Sequence, residues 1–249
     1  MENYNLLESD LAEITSFTTE TRNKFQESFN ISNVVYQSTD SLIAAKSSYY
    51  YLSKILFDFF FASFALILTS PLLILTSILI LIIDKQSPFF RQNRLGANNT
   101  TFNIFKFQTM KQPDDKSLFA KLVQDLADDG IVYKDQKDPR ITKLGKFLRK
   151  TSIDELPQLF NVLKGEMSII GPRPLIPFLL KDFPDIQEAR GLVKPGITGL
   201  WQVKARAQNQ SVFSMIEWDF DYIQNFSFKQ DLMIFFRTFW VVLKQDGAI

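Results

Sequence analysis

FFFASFALILTSPLLILTSILILII, from Phe59 to Ile83, is a run of 25 residues without a charge. As a straight helix it would be about 37 Å long at 1.5 Å per residue, against a hydrocarbon core of about 30 Å. The run is long enough to cross a membrane. Ser70-Pro71 lies at its midpoint, and proline removes one backbone hydrogen bond and crowds the preceding turn, so a kink or break is expected there. Each half then measures roughly 18 Å, about half a bilayer. Two arrangements stay open from the residues alone: a kinked helix that spans, and a re-entrant helix that returns to the side it entered. Lys85, Arg91, Arg94 and Lys106 follow the run and argue for a cytoplasmic C-terminal side. Lys46 and Lys54 stand upstream, with Asp58 at the entry. Bases on both flanks fit the re-entrant form.

Residues 1–50, N-terminal to this segment, are rich in Ser, Thr, Asn and Glu and read as a polar, flexible extension. They hold seven acids and three bases, a net of −4, which leaves +5 on the remainder of a chain whose total is +1. No global field points to nucleic acid. The modest basic excess of the body suits anionic headgroups or phosphorylated substrates. Met1-Glu2-Asn3-Tyr4 has neither the basic nor the apolar region of a secretory signal. The 25 Phe have two outlets, a membrane surface or core packing.

Two absences narrow the chemistry. The 249 residues include no His and no Cys. Disulfides, thiolate or imidazole nucleophiles and zinc sites of the usual ligand types are excluded. An enzyme built from this chain works with carboxylates, Lys, Arg, Tyr, hydroxyls and an oxygen-ligated cation such as Mg²⁺.

C-terminal to the apolar run, Ser87–Gln92 reads as a turn into an extended piece, Asn98–Thr101 as a turn, and Phe102–Phe107 as a strand. Residues 112–138 are polar and read as a surface loop with a short helix around Leu118–Leu126. A basic helix is expected near Lys143–Lys150, and another from about Glu155 to Leu163, ending at Lys164-Gly165. Pro172, Pro174, Pro177, Pro184 and Pro195 then punctuate a region of short helices. Phe228–Lys244 is apolar with Arg237 inside and too short to span, so it is a core or interfacial helix.

The sharpest chemical signal is Thr151-Ser152-Ile153-Asp154-Glu155-Leu156-Pro157-Gln158. With Pro157 in the first turn of a helix, Asp154 and Glu155 would sit at the positive end of its dipole, a place that suits carboxylates and bound phosphate. Such a pair can hold Mg²⁺ and supply a nucleophile. The plainer reading is a capping box, Ser152-x-x-Glu155. Arg149-Lys150 lies just upstream. In Gly171-Pro172-Arg173-Pro174 two prolines fix the backbone around one Arg, which suits phosphate recognition, although a surface turn has the same sequence. Lys194–Val203, with Gly196, Gly199 and the nearby Arg206, could form a phosphate or nucleotide loop.

In order, these segments resemble the bacterial sugar transferase family, the monotopic phosphoglycosyl transferases. The resemblance covers residues 54–249 and rests on Lys54–Asp58, Ser70-Pro71, Phe89–Gln92, Phe105–Met110, Asp138–Thr142, Asp154–Gly165, Gly171–Pro174 and Lys194–Gly199. It implies a helix-rich α+β fold with little β structure: a re-entrant membrane helix over 51–84, broken at Ser70-Pro71, and a membrane-associated catalytic domain over 85–249 with interfacial helices. It also implies transfer of a sugar 1-phosphate from a UDP-sugar to polyprenyl (undecaprenyl) phosphate with release of UMP, at the cytoplasmic face of the bacterial inner membrane. Asp154 and Glu155 match the family's catalytic, Mg²⁺-binding dyad, with the Asp as nucleophile. Lys106, Arg149 and Arg173, with Arg206, match its substrate-binding bases; Pro172 and Pro174 are structural. A homodimer is an open partner state. Gln108 stands where the family usually has a base, and Ala205 where Gly is usual. The rival activities are a membrane-anchored Mg²⁺-dependent phosphohydrolase and a non-catalytic assembly partner.

Overall fold

The computed structural model describes residues 48–111, 138, 140–181, 183–205 and 212–244. Most of the extension 1–50, the helix expected around 118–126, and Arg206 lie outside the described residues. The fold is helix-rich with few strands. Helix α1, Ser48–Leu79, runs into a π-helical turn, Ile80–Asp84, that ends at Lys85 in the left-handed region, φ 53°. Strands β1, Phe89–Leu95, and β2, Thr101–Phe107, form an antiparallel hairpin, with Phe89 opposite Phe107 and Leu95 opposite Thr101. Its tip is a 3₁₀ turn, Ala97–Asn99, where Asn98 and Asn99 both take positive φ, as asparagine tolerates better than most residues. After α2, Lys143–Lys150, come the short α3, Gln158–Leu163, and the three-residue β3, Ser168–Ile170. Then follow α4, Pro184–Gly191, and β4, Gly196–Thr198, which pairs parallel to β3. Helices α5, Leu200–Lys204, α6, Val212–Asn225, and α7, Phe228–Lys244, complete the order.

The apolar stretch is one helix, starting at Ser48, within the polar extension the sequence suggested. Helical structure continues through Ser70 and Pro71. This corrects the expected break at Ser70-Pro71: the helix is continuous there, and the proline costs it one backbone hydrogen bond. Pro71 has no N–H to give the carbonyl of Ile67 four residues earlier; the Ser70 hydroxyl donates to that same carbonyl at 2.8 Å. In an apolar medium an orphaned carbonyl costs several kcal/mol, roughly, so the hydroxyl replaces what proline removes. The segment around it is bare: Ile67 is 75% exposed, and Phe64, Leu68, Ile74 and Leu75 are exposed too.

Both ends of α1, by contrast, are tied to the rest of the chain. At the N-terminal end the Tyr50 hydroxyl and the Lys54 ammonium each donate to Asp231 on α7 at 2.8 Å. One turn later, Asp58 accepts from the Ser168 hydroxyl at 3.0 Å and the Ile169 N–H at 2.9 Å. Beyond the bare middle, Ile80 packs with Phe107 and Leu148, and Asp84 accepts from the Thr142 hydroxyl at 2.8 Å.

The main core joins Ala62 of α1, Phe102 and Ile104 of β2, Leu159 and Val162 of α3, Ile169 and Ile170 of β3, and Tyr222 and Ile223 of α6. Asn161 of α3, fully buried, stitches the outer edge of β2: it accepts from Phe105 N–H at 2.9 Å and donates to Asn103 C=O at 2.7 Å. One side chain thus serves a strand edge that lacks a neighbouring strand. Asn161→Ala is expected to leave two partly buried backbone groups without this partner, costing about 2 kcal/mol and lowering Tm by roughly 5 °C. Thermal denaturation in detergent measures it; an unchanged Tm would mean water replaces the amide without loss.

Candidate active site

The acid pair lies between the hairpin and α3. Asp154 and Glu155 occupy a 3₁₀ turn, Ile153–Glu155, and the helix begins only at Gln158, with Pro157 as its N-cap. This corrects the expected helix start at Glu155: Pro157 precedes the helix, and the acids stand a few residues outside it. The capping box does not form either. Ser152 is left-handed, φ 56°, and its side chain makes no cap bond. A non-glycine residue held there costs of order 1 kcal/mol, and it lies two residues before Asp154.

Four segments converge on these two carboxylates. From β2, the Lys106 ammonium donates to Glu155 Oε1 at 2.9 Å. From the Pro-Arg-Pro loop, Arg173 Nη2 donates to the same oxygen at 3.2 Å. Arg149, at the C-terminal end of α2, donates through Nε to Thr109 Oγ1 at 3.2 Å and lies within electrostatic reach of Asp154 and Glu155. Arg94 of β1 is the fourth cation, coupled to Arg173 and Glu155. Asp154 is 9% exposed, and no hydrogen bond or ion pair joins its carboxylate to another described side chain. Burial pushes its carboxyl above the usual range, and the adjacent Glu155 pushes the same way. Lys106, Arg149 and Arg173 pull against them. Burial likewise holds the Lys106 ammonium and the Arg149 guanidinium below their ordinary values, and brings Arg94 down to about 10.

Pro172-Arg173-Pro174 is not a surface turn. Both prolines are buried, and each of the three carbonyls is accepted into a bond. Gly196 N–H donates to Pro172 O at 2.8 Å, Arg190 Nη2 donates to Arg173 O, and Arg94 Nη1 donates to Pro174 O at 3.1 Å. Arg190 is itself fixed by a buried ion pair with Asp219 of α6. The backbone around Arg173 is therefore held from three directions, which aims its guanidinium at Glu155. Arg190 escaped sequence reasoning, and Arg94 entered it only as a flanking charge. An Arg among the apolar residues Ile186 and Ala189 of a short helix was the available signal for Arg190.

The Lys194–Val203 segment, read from sequence as a candidate phosphate loop, packs against the chain that leads into Arg173. Its glycines admit another backbone. A Cβ on Gly196 would lie 2.1 Å from Gly171 N, and one on Gly199 2.2 Å from Gly171 O. Gly171 N–H donates to Thr198 O at 2.9 Å. The glycines press β4 against the chain leading into Pro172-Arg173-Pro174, so they position the loop. Gln108, at the position where the family usually carries a base, spends its amide on Met110 O.

Mg²⁺ fits the donor set. It commonly takes one or two carboxylates and completes its octahedron with water and substrate phosphate. Asp154 and Glu155 would hold it; no group of three or more such ligands placed to hold a metal occurs among the described residues. When bound, it would neutralise charge on a diphosphate at this place.

Because the folded state raises the Asp154 pKa, it binds that proton more tightly than the unfolded chain does. The stability tied to this group is full below the ordinary carboxylate value and is lost as pH rises through the raised one. Asp154→Asn is therefore expected to raise Tm at neutral pH by about 2–4 °C, the effect of ~1 kcal/mol in a chain of this size. The gain should shrink as pH falls toward the ordinary carboxylate range. A lower Tm at neutral pH would show that the surrounding cations already outweigh burial.

The sequence matches the bacterial sugar transferase family over residues 49–245. It is 39% identical over 200 residues to the exopolysaccharide production protein ExoY of Sinorhizobium fredii, covering 79% of this chain and 88% of that one. It is 38% identical over 195 residues to the undecaprenyl-phosphate galactose phosphotransferase of Salmonella typhimurium, covering 77% of this chain and 40% of that protein. A UDP-N-acetylgalactosamine-undecaprenyl-phosphate N-acetylgalactosaminephosphotransferase of Aeromonas hydrophila is also 38% identical, over 198 residues, 77% of this chain and 44% of its own. This chain thus spans nearly all of one relative and about two fifths of the other two. The match extends from the first turn of α1 to the end of α7 and takes in every segment that meets at Glu155: the chain belongs to the bacterial sugar transferase family.

Proposed function

We propose that this protein transfers a sugar 1-phosphate from a UDP-sugar to polyprenyl phosphate and releases UMP, the opening step of a surface glycan. The observation that carries the reading is Asp154: a buried carboxylate without a hydrogen bond to another described side chain, close to cations, in a chain without His or Cys. Lys106, Arg149, Arg173 and Arg94 face two carboxylates and leave a surplus of two positive charges, suited to a diphosphate. Lys106, Arg149 and Arg173 oppose the rise that burial and Glu155 impose on the Asp154 carboxyl, and so favour its ionised form.

In the first half-reaction an Asp154 oxygen attacks the sugar-bearing phosphorus. The bond from that phosphorus to the bridging oxygen breaks, and UMP leaves with the electron pair. In the second, an oxygen of polyprenyl phosphate attacks the same phosphorus, and the aspartyl–phosphorus bond breaks to restore the carboxylate. Arg173 and Lys106, each with donors beyond the one given to Glu155, hold the phosphate oxygens in line. The two relatives at 38% identity are named for different sugars, so identity at this level does not select the sugar. Purified protein given a panel of UDP-sugars is expected to release UMP over many turnovers with one of them when undecaprenyl phosphate is present, and at most one equivalent per enzyme without the lipid. Asp154→Asn should release none and form no phospho-sugar adduct. An adduct mapped by mass spectrometry to another residue overturns the nucleophile, and sugar phosphate released without lipid makes the protein a hydrolase.

The membrane part of the proposal is a re-entrant α1 beneath a cytoplasmic catalytic domain at the inner membrane, with Mg²⁺ at the acid pair. Supporting it, Lys54 and Asp58 at one end of α1 and Ile80 and Asp84 at the other bind a single folded body, while the middle around Ser70-Pro71 is bare. A helix that spans would separate its ends by a bilayer. The chain has no cysteine, so single cysteines at Ser38 and Ser117 report sidedness. Neither should react with an impermeant thiol reagent in intact cells until the membrane is opened. Reaction at position 38 in intact cells would mean that the helix crosses.

A further inference from the structure

Helix α2 carries a face that the transfer chemistry does not use. Lys143, Lys146, Phe147 and Lys150 are all exposed, at positions i, i+3, i+4 and i+7, and so lie on one side. The opposite side buries Leu148 against Ile80 and Phe107, and sends Arg149 toward the acid pair. The helix contains no acid, and none of the three lysines makes an ion pair among the described residues. Like charges at this spacing repel and weaken a helix. Phe147, 56% exposed in their midst, gains nothing from water.

The position of this face accounts for both features. Thr142, the N-cap of α2, donates to Asp84, the last residue of the π-helical turn and the first after the apolar run. Their chain neighbours, Lys143 and Lys85, are both exposed, and Leu81, Ile82 and Ile83 are exposed just before. A basic helix face with one aromatic thus adjoins the point where the apolar segment ends. We propose that this face docks on anionic phospholipid headgroups, with Phe147 inserted at the acyl boundary and Lys85, Lys143, Lys146 and Lys150 on the phosphates. The lipid phosphates supply the counter-charge that the fold does not. The same contact presses the helix that carries Arg149 toward the lipid surface and so sets the height of the acid pair above it.

This proposal rests on the membrane placement of α1, and the test separates the two. The full chain is prepared with a single cysteine at position 147 (Phe147→Cys) or at position 68 (Leu68→Cys). Each is labelled with a polarity-sensitive fluorophore and placed in nanodiscs of phosphatidylcholine, with or without phosphatidylglycerol. Position 68 should report an apolar setting in both lipids. Position 147 should shift to the blue with phosphatidylglycerol, and the shift should be lost in high salt and in the Lys143→Gln, Lys146→Gln, Lys150→Gln triple variant. That variant's Tm shows whether it is folded, and high salt gives the same readout on the unaltered lysines. A water-like signal at 147 with an apolar one at 68 overturns this proposal and leaves the placement of α1 standing. An equal shift in both lipids, or a shift caused by polyprenyl phosphate alone in phosphatidylcholine, overturns anionic phospholipid as the partner. A water-like signal at 68 overturns both.

Discussion

The oxygen Glu155 Oε1 holds the site together. It accepts from Lys106 and from Arg173, so three parts of the chain far apart in sequence meet on one atom. Without it the two cations would face each other, with Arg94 and Arg149 close by, in surroundings too dry to screen them. A carboxylate shared between two cations is cheaper to bury than either cation alone, because each partner replaces part of the other's lost hydration. Removing Glu155 from such a group would leave its two cations uncompensated inside. The geometry of the neighbouring Asp154 follows from this, since the turn that carries both acids is fixed through its second residue.

The supports of this atom differ in kind. Lys106 arrives on a strand whose outer edge is closed by one amide, Asn161. Arg173 arrives on a loop held by a strand amide and two arginines, and one of those arginines is held by a buried carboxylate on α6. Order passes from apolar packing around Tyr222 and Met215 to the guanidinium of Arg173 through polar bonds at each step. Glycines at 171, 196 and 199 let the backbones approach closely enough for those bonds to form.

Several elements were legible from local pattern. Helix α2 and helix α7 have the predicted limits, because each is a periodic segment with its own boundary signals. Strand β2 was visible in its alternation, while its partner read only as an extended piece before the asparagine turn, and the pairing itself came from the structure. The parallel pair β3–β4 was not, for three-residue strands carry no period and their pairing is set by what packs around them. The start of α3 was misplaced because proline in the first turn and proline at the cap look alike in sequence. For the site, residue type and order picked out Asp154, Glu155, Arg149 and Arg173, and the family resemblance added Lys106; the structure brings all five together. Arg190 acts only through the carbonyl of Arg173, a relation between distant segments that composition does not encode.

The anchor at the start of α1 has a consequence for how the chain is made. Lys54 and Asp231 are 177 positions apart. At a synthesis rate of roughly 5–20 residues per second, about 10–35 s separate their appearance. During that interval the greasy segment has left the ribosome while the carboxylate that will receive its amine does not yet exist. On the proposed membrane placement, the segment waits at the bilayer with that amine still hydrated, and the return of its N-terminal end to the body is a late event. Final topology is then a property of the finished polypeptide, reached by closing a long loop, and not of the apolar segment when it first meets lipid.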